Sequence, residues 1–227
     1  MKKFWALVFI FTPALSHAIF SIGITGGQDY YTIAEYNKSF ELGGDTLVSL
    51  KRDVVENPLL FGVKCGIDII PFIDLEIGAD MAIKKYNFTY IYPVDISVQD
   101  TLTQKLTFSR IGIYLNLQRN FFSFPPAVSV FSLYGGAGAN LQIMTPILCE
   151  ALIVDNLKSA TDTLDELALV KRATKYGGHI VTGLKLKPPM IPVAVDVNFR
   201  YTFILGECKY EEPSSFFSIY AGLSYAM

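Results

Sequence analysis

Residues 188–205, PPMIPVAVDVNFRYTFIL, alternate between apolar and polar side chains after a Pro-Pro pair. One face is apolar and mostly β-branched or aromatic: Ile191, Val193, Val195, Val197, Phe199, Tyr201 and Phe203. The other face is small or polar: Ala194, Asp196, Asn198, Arg200 and Thr202. This period of two indicates a strand, and it lasts longer than the roughly 5–6 residues of a usual strand. Because about 9–11 tilted residues cross a bilayer, we interpret the stretch as one strand of a transmembrane β-barrel, which requires an even set of such strands.

The first eighteen residues have the pattern of a secretory signal peptide. Lys2 and Lys3 precede the short apolar run FWALVFIF, and Ser16-His17-Ala18 provides the small residues of a cleavage site. The apolar run is too short to cross a membrane as a helix. We therefore predict a signal peptide over 1–18 and an exported chain over 19–227 that forms one domain.

Composition agrees with a membrane barrel and excludes a nucleic-acid partner. Hydrophobic residues make up 51% of the chain and aromatic residues 14%, yet after the signal peptide they are dispersed at alternate positions. No later stretch has the roughly 18 apolar residues of a membrane-spanning helix. The 19 basic and 21 acidic residues nearly cancel, so the chain lacks the excess positive charge of a nucleic-acid-binding protein.

Eight alternating segments can be identified after residue 18. They are expected at about 19–28, 59–69, 73–86, 106–118, 127–143 and 177–187, within 188–205, and at 215–227. The connections alternate between long polar segments (29–58, 87–105, 144–176 and the moderate 206–214) and short turns near 71, 119–126 and 188–190. Outer-membrane barrels combine short periplasmic turns with long extracellular loops, so we expect both termini in the periplasm. A soluble lipocalin-like barrel would carry its apolar face inside, and the charges collected on one face, together with the unequal loops, favour the membrane barrel over it.

One segment of the third long connection has helical spacing. In SATDTLDELALVKRATKY, Leu164, Leu167 and Ala168 lie on one side of a helix. Ser159 or Thr161 can cap its start, and acidic residues near the start with basic residues at the end complement the helix dipole. We predict a short amphipathic helix that covers the barrel mouth or contacts a ligand outside the cell.

In strand number, loop alternation and the last strand, FFSIYAGLSYAM, residues 19–227 resemble the small eight-stranded outer-membrane barrels of the OmpA/OmpX membrane-domain type. This resemblance implies an all-β, eight-stranded, antiparallel, up-and-down barrel in the outer membrane of a Gram-negative-type bacterium. It also implies outer-membrane lipid around the barrel and recognition of the last strand by the barrel insertion machinery. The chain ends in Met227 where the family usually has Phe.

Charged side chains fall on the inward face of the predicted strands. The acidic members are Asp68, Asp74, Glu76, Asp80 and Asp196, and the basic members are Lys64, Lys84, Arg110, Lys185 and Arg200. An eight-stranded barrel has room inside only for its own side chains, and an isolated buried charge costs several kcal/mol. We therefore predict a charge-paired plug built from Lys64, Asp68, Glu76, Asp80, Arg110, Lys185, Asp196 and Arg200. The alternative is a narrow porin or a channel for small hydrophobic molecules through the same lumen.

The sequence gives little support for catalysis. Outer-membrane enzymes that modify lipid A also use eight-stranded barrels, and they need a histidine base beside a serine or a carboxylate. His179 is the only histidine after residue 18, and no serine lies two residues from it. We expect no enzyme activity, no cofactor and no metal, and we expect a monomer with a structural or surface-interaction role.

Three cysteines follow the signal peptide: Cys65, Cys149 and Cys208. None has the spacing of a zinc site. Cys65 falls on the apolar face of a strand, whereas Cys149 and Cys208 fall in connections at the same end of the barrel. Because an exported protein meets an oxidising environment, we treat a disulfide between Cys149 and Cys208 as a hypothesis, with two free thiols as the alternative.

Overall fold

A computed structural model describes residues 20–42, 46–70, 73–95, 98–124, 130–156, 172–188 and 191–226. The expected signal peptide lies outside these residues, as does Met227. So does the predicted helix as far as residue 171, and the residues that should end it begin a strand instead.

Twelve strands and one helix form in this part of the chain. The strands are β1 (Phe20–Tyr30), β2 (Thr32–Ile33), β3 (Tyr36–Leu42), β4 (Thr46–Arg52), β5 (Val55–Glu56), β6 (Leu59–Ile70), β7 (Ile73–Asp95), β8 (Val98–Phe124), β9 (Phe131–Met144), β10 (Ala173–Leu186), β11 (Val193–Ile204) and β12 (Ser215–Ala226). The helix, α1, spans Glu150–Asn156. Among the described residues, no helix is long and apolar enough to cross a membrane.

Eight of the strands close into an antiparallel barrel. Hydrogen bonds join them in the order β7-β6-β1-β12-β11-β10-β9-β8, and β8 pairs again with β7. The first and last strands of the ring are neighbours, with Ser21 opposite Ala226. Closure leaves no free edge at the level of the ring, which a barrel in lipid requires. The predicted eight-stranded, up-and-down topology is confirmed.

The barrel is apolar outside and polar inside. Along β11 the outward residues Val195, Val197, Phe199, Tyr201 and Phe203 are each 37% to 44% exposed. The inward residues Ala194, Asp196, Asn198, Arg200 and Thr202 are at most 4% exposed. A soluble lipocalin-like barrel would show the opposite arrangement. The outer surface is therefore suited to hydrocarbon, and the chain is an integral membrane barrel.

The first two long connections are not the polar loops expected from the sequence. β7 continues to Asp95 and β8 begins at Val98, so residues 87–105 are mostly a hairpin that rises above the ring. Within 29–58, β3 and β4 form a second hairpin, and β4 pairs with the upper part of β7. The expectation was wrong because the outward side chains here are Thr, Ser, Asn and Lys. The period of two continues, but without the apolar outer face that marks a strand in lipid.

A hydrophobic core fills the space above the lumen. It joins inward residues of β3, β4, β7 and β8 to the chain around α1, and its fully buried members include Val48, Leu50, Phe108, Ile147 and Ile153. We call β3, β4, the parts of β7 and β8 above the ring, and residues 145–156 the mouth cap. The cap is an ordinary folded layer, apolar inside and polar outside, that covers one end of an inside-out barrel.

A helix that the sequence did not predict precedes residues 157–171, which lie outside the described part of the chain together with most of the predicted helix. α1 follows Pro146 and begins at Glu150, whose carboxylate suits a helix N-terminus. Leu152 and Ile153 pack into the core of the mouth cap. These residues, EALIVDN, are mostly apolar, and a helix of seven residues shows too little periodicity to be recognised in a sequence.

Removing a buried side chain of β4 should loosen the mouth cap and leave the ring intact. Leu50 is 0% exposed and Leu47, on the same strand, is 62% exposed. A Leu→Ala change in a core costs about 2–5 kcal/mol. We expect Leu50→Ala to allow tryptic cleavage after Lys51 or Arg52 in protein held in vesicles, whereas Leu47→Ala should be cut no faster than wild type. Equal cleavage of the two variants would contradict the packing described.

Candidate functional site

The inward side chains meet in the lumen at two levels. The upper level, nearer the mouth cap, contains Arg110, Arg200 and the carboxylates that they bind. The lower level is centred on Lys64. Each side chain points inward because the strands alternate strictly, and neighbouring strands bring residues of opposite charge to the same height.

Arg110 is the centre of the upper level and is fully buried. Its Nε and Nη2 donate to Asp29 Oδ2 at 2.9 and 2.7 Å. Its Nη1 donates to Asp80 Oδ1 at 2.9 Å, to the Tyr114 hydroxyl at 2.7 Å and to Gln142 Oε1 at 2.9 Å. Every nitrogen of the guanidinium is therefore engaged, which compensates much of the cost of removing the charge from water.

Asp80 is shared between two arginines. Its Oδ1 accepts from Arg110, and its Oδ2 accepts from Nη2 of Arg200. The Arg200 guanidinium also lies 3.7 Å from the ring centroid of Tyr114 and 5.0 Å from that of Tyr220. Contact with the ring faces adds a cation–π attraction that is stronger where water is excluded. The upper level thus combines charge pairs with aromatic rings.

The lower level pairs Lys64 with two carboxylates. Its Nζ lies 2.5 Å from Asp196 Oδ1 and 3.8 Å from Glu76 Oε2. Asn116 and Gln118 each donate to Glu76 Oε1 at 3.0 Å. Charged and amide groups on four strands, β6, β7, β8 and β11, are therefore connected below the arginines.

Six of the eight residues predicted for the lumen network take part in these contacts: Lys64, Glu76, Asp80, Arg110, Asp196 and Arg200. Lys185 lies opposite Asp196 in the pairing of β10 with β11, but it forms no ion pair with any described residue. Asp68 of β6 lies opposite Asp74 of β7, and the side chain of Asp68 is outside the described part of the chain.

Asp29 is the lumen residue that sequence reasoning missed. It was assigned to the first long connection, whereas β1 continues to Tyr30 and carries Asp29 inward. There it binds Arg110 and accepts a hydrogen bond from the Ser218 hydroxyl at 2.7 Å. The sequence did contain a pattern that points to Asp29. The inward positions Ser21, Gly23, Thr25 and Gly27 lead to residue 29 by the same period of two.

A small cavity lies between the two levels. A cavity of about 20 Å³ lies beside Lys64, Glu76, Asp80 and Arg200. That volume holds about one water molecule. Glycine makes the dense packing feasible: a Cβ on Gly112 would come 2.6 Å from Arg110 Nη1, and one on Gly222 would come 2.7 Å from Asp196 Oδ2.

His179 is buried in the lumen without the partners of a catalytic base. Its Nε2 is hydrogen-bonded to Asn116 Oδ1, and its ring meets that of Tyr114 edge-on with centroids 5.2 Å apart. Its Nδ1 has no partner among the described residues. A nucleophile–base pair needs a hydroxyl or thiol within hydrogen-bond reach of the ring, and Asn116 offers neither. The described residues also contain no cluster of side chains suited to a metal ion.

A second site lies on the mouth cap. A groove of about 330 Å³ runs between β3, α1 and the last connection, and it is lined by Tyr36, Lys38, Cys149, Glu150, Ala151, Val154, Lys209 and Glu211. The Tyr36 hydroxyl donates to Glu150 at 3.0 Å. Burial and this carboxylate raise the pKa of Tyr36 to about 12, so the phenol stays protonated and keeps the hydrogen bond.

Arg52 holds the walls of this groove together from below. It is 1% exposed and donates to the Leu148 carbonyl at 2.8 Å, the Ala34 carbonyl at 2.6 Å and Glu211 Oε2 at 2.9 Å. These three partners belong to separate connections between strands. Beside them, Lys175 binds Glu212 at 3.1 Å and fixes the last connection to β10. The groove is therefore a pre-formed concave surface.

Cys149 and Cys208 are both free thiols in this structure, so the expected disulfide is not formed here. Cys149 is buried at the base of the groove, whereas Cys208 is half-exposed in the last connection. Burial raises the pKa of the Cys149 thiol and disfavours its reactive thiolate. The disulfide stays a prediction that labelling can test.

The two thiols should differ in reactivity. We expect a maleimide at pH 7.5 to label Cys208 at least about ten-fold faster than Cys149, because the thiolate is the nucleophile. Peptide mass mapping under non-reducing conditions reads out both sites. Equal rates would contradict the burial of Cys149, and labelling of both thiols only after reduction would establish the disulfide.

Removing the central arginine should destabilise the barrel strongly. Arg110→Met leaves Asp29 and Asp80 with less compensation, and breaking a buried ion pair costs about 3–5 kcal/mol. We expect a lower urea midpoint for this variant in vesicles. Arg119→Met, an exposed position on the same strand, is the matched control and should unfold like wild type. Equal midpoints for the two variants would refute the importance of the network.

Comparison with known proteins finds similarity to solved structures at low sequence identity. No family model matches the chain, and no curated protein matches it. Neisserial surface protein A is 12% identical with a TM-score of 0.49, covering 92% of this chain and 97% of that one. The outer membrane protein OprG of Pseudomonas aeruginosa is 14% identical with a TM-score of 0.47, covering 92% and 95%. The N-terminal β-barrel domain of OprF from the same organism is 12% identical with a TM-score of 0.45, covering 91% and 97%.

Proposed function

We propose that this protein is a closed barrel of the outer membrane with a structural or surface-interaction role, whose mouth cap faces the outside. The observation that carries the proposal is the lumen. Two levels of paired charges, aromatic rings at the arginines and a folded apolar cap leave a cavity of about 20 Å³ between the levels. A channel needs a continuous hydrated path, and the ion pairs of both levels lie within the lumen where such a path would run.

The orientation follows from the unequal ends of the barrel. Short turns and both ends of the ring, Phe20 and Ala226, lie at the end away from the mouth cap. Outer-membrane barrels place short turns in the periplasm. We therefore assign the cap to the cell exterior, after export directed by residues 1–18. We assign recognition by the insertion machinery to β12, where Phe217, Leu223 and Tyr225 face outward.

The groove on the mouth cap is the proposed surface for an extracellular ligand. Its walls are fixed by Arg52 and by the Tyr36–Glu150 hydrogen bond, so binding would order few additional groups. A pre-formed site loses less conformational entropy on binding. Lipid A modification is less well supported, because His179 lies within the lumen and is bonded to Asn116.

The closed lumen can be tested by electrical recording. We expect purified wild-type protein in planar bilayers to give current indistinguishable from bare lipid, because ionised groups block the path at both levels. Stepwise currents that grow when Arg200 is changed to Gln would establish the alternative, a narrow pore through the network. Incorporation is verified in both cases by recovering folded barrel from the bilayer lipid.

The orientation can be tested on intact cells. An epitope inserted after Gly44, between β3 and β4, should be reached by antibody without permeabilisation. An epitope inserted at residue 127, between β8 and β9, should be reached only afterwards. The reverse pattern would place the mouth cap in the periplasm.

A further inference from the structure

The outer surface changes from apolar to basic on one side of the barrel. On β7 the outward residues run Ile77, Ala79, Met81 and Ile83, and the next outward residue is Lys85. On β8 the apolar outward series ends at Ile111, and Thr107 and Lys105 lie above it. The boundary of the apolar band therefore runs just below these lysines.

Strand register gathers three lysines above that boundary. Lys85 is opposite Thr107, and Lys105 is opposite Asn87, two residues further up β7. Lys51 of β4 is opposite Thr89 of β7, because β4 pairs with the edge of β7 that does not pair with β8. Lys85 and Lys105 are thus diagonal neighbours, a relation that places side-chain origins about 7–8 Å apart. We call Lys51, Lys85 and Lys105 the basic face.

The basic face is exposed and its charges are unpaired. All three lysines are exposed, and none forms an ion pair with a described residue. The nearby carboxylate of Asp53 accepts a hydrogen bond from the Asn87 side chain at 2.7 Å, and Glu41 lies on the outer side of β3. The neighbouring polar residues bind each other, as Thr89 and Thr103 do at 3.2 Å. The sheet therefore presents ammonium groups that are free to bind an outside anion.

The height of the basic face matches the lipid headgroups. Two residues of strand advance about 7 Å, and tilt reduces the vertical rise. The polar layer on each side of a bilayer is about 5–7 Å thick, so Lys85 lies within it and Lys105 at its outer limit. Lys51 lies higher, and its flexible side chain can reach down toward the same layer. Outward residues at the same end of β1, β10 and β11 are uncharged, among them Tyr30, Tyr176 and Phe203.

From this register, exposure and height we propose that the basic face binds the phosphate group of a lipid headgroup in the surrounding leaflet. The apolar side chains directly below, Met81, Ile83 and Ile111, would contact the acyl chains of the same lipid. The partner is a lipid rather than a free anion because the lysines are continuous with the lipid-facing band. Phosphate suits them because its oxygens accept from several ammonium groups at once.

The test uses native mass spectrometry of the folded barrel in detergent, titrated with phosphatidic acid, phosphatidylcholine of the same chain length, and inorganic phosphate. We expect wild type to bind phosphatidic acid at least about ten-fold more tightly than phosphatidylcholine, since each lysine near an anionic lipid contributes a several-fold gain. K51Q/K85Q/K105Q should reduce the preference to below about two-fold. The matched control R119Q/R172Q/K187Q removes the same charge outside the basic face and the groove, and it should keep the wild-type preference.

Three results would overturn the proposal. One is a wild-type barrel that does not prefer phosphatidic acid. Another is an equal loss of preference in the control variant, which would indicate net charge rather than this face. The third is competition by inorganic phosphate at the same concentration as the lipid, which would indicate a free-anion site. Far-UV circular dichroism verifies that both variants remain folded barrels.

Discussion

Asp80 accepts hydrogen bonds from two buried arginines, and the charge network of the lumen depends on this shared carboxylate. An inside-out barrel has no apolar core, so its interior must be stabilised by pairing ionised groups. Arg110 reaches Asp29 on β1 and Asp80 on β7 from its place on β8, and Arg200 reaches Asp80 from β11. One connected network therefore ties opposite walls of the ring together. Glycine keeps two places in this network open, because a side chain at position 112 would crowd the Arg110 guanidinium and one at position 222 would crowd the Asp196 carboxylate.

The mouth cap, unlike the lumen, is stabilised by an apolar interior. Above the apolar band the same strands continue, but water lies outside and the apolar residues turn inward. Tyr86, Phe88 and Phe108 form the roof of the lumen, and the hairpin β3–β4 and α1 close over them. Arg52 then links three connections beneath the groove. Two solvents, lipid and water, thus impose two opposite patterns on one continuous sheet, and the boundary between them is visible at Ile83 and Lys85.

Sequence periodicity predicted the parts of the fold that lie in lipid, because there the outer face must be apolar. The eight ring strands, the inward placement of Arg110 and Arg200 and the closed topology all follow from it. It failed above the band, where the outer residues of 87–105 are polar and the strand pattern resembles a loop. It also ended β1 one position before Asp29, and it could not identify α1, whose seven residues are held by packing. Strand register, which depends on closure of the whole ring, decided which charges meet; Lys185 faces the lumen without joining the pairs.

The charged residues have different roles in the lumen and on the outer surface. Inside, Lys64, Arg110 and Arg200 are paired with carboxylates, which suits stability more than transport. Outside, the basic face and the groove carry exposed charges, which suits the lipid and ligand contacts proposed for them. The most direct measurement for the lumen network is a double-mutant cycle between Asp80→Ala and Arg200→Met, read from urea unfolding in vesicles. A shared network predicts a coupling free energy of about 1 kcal/mol or more, whereas additivity within about 0.5 kcal/mol would contradict it.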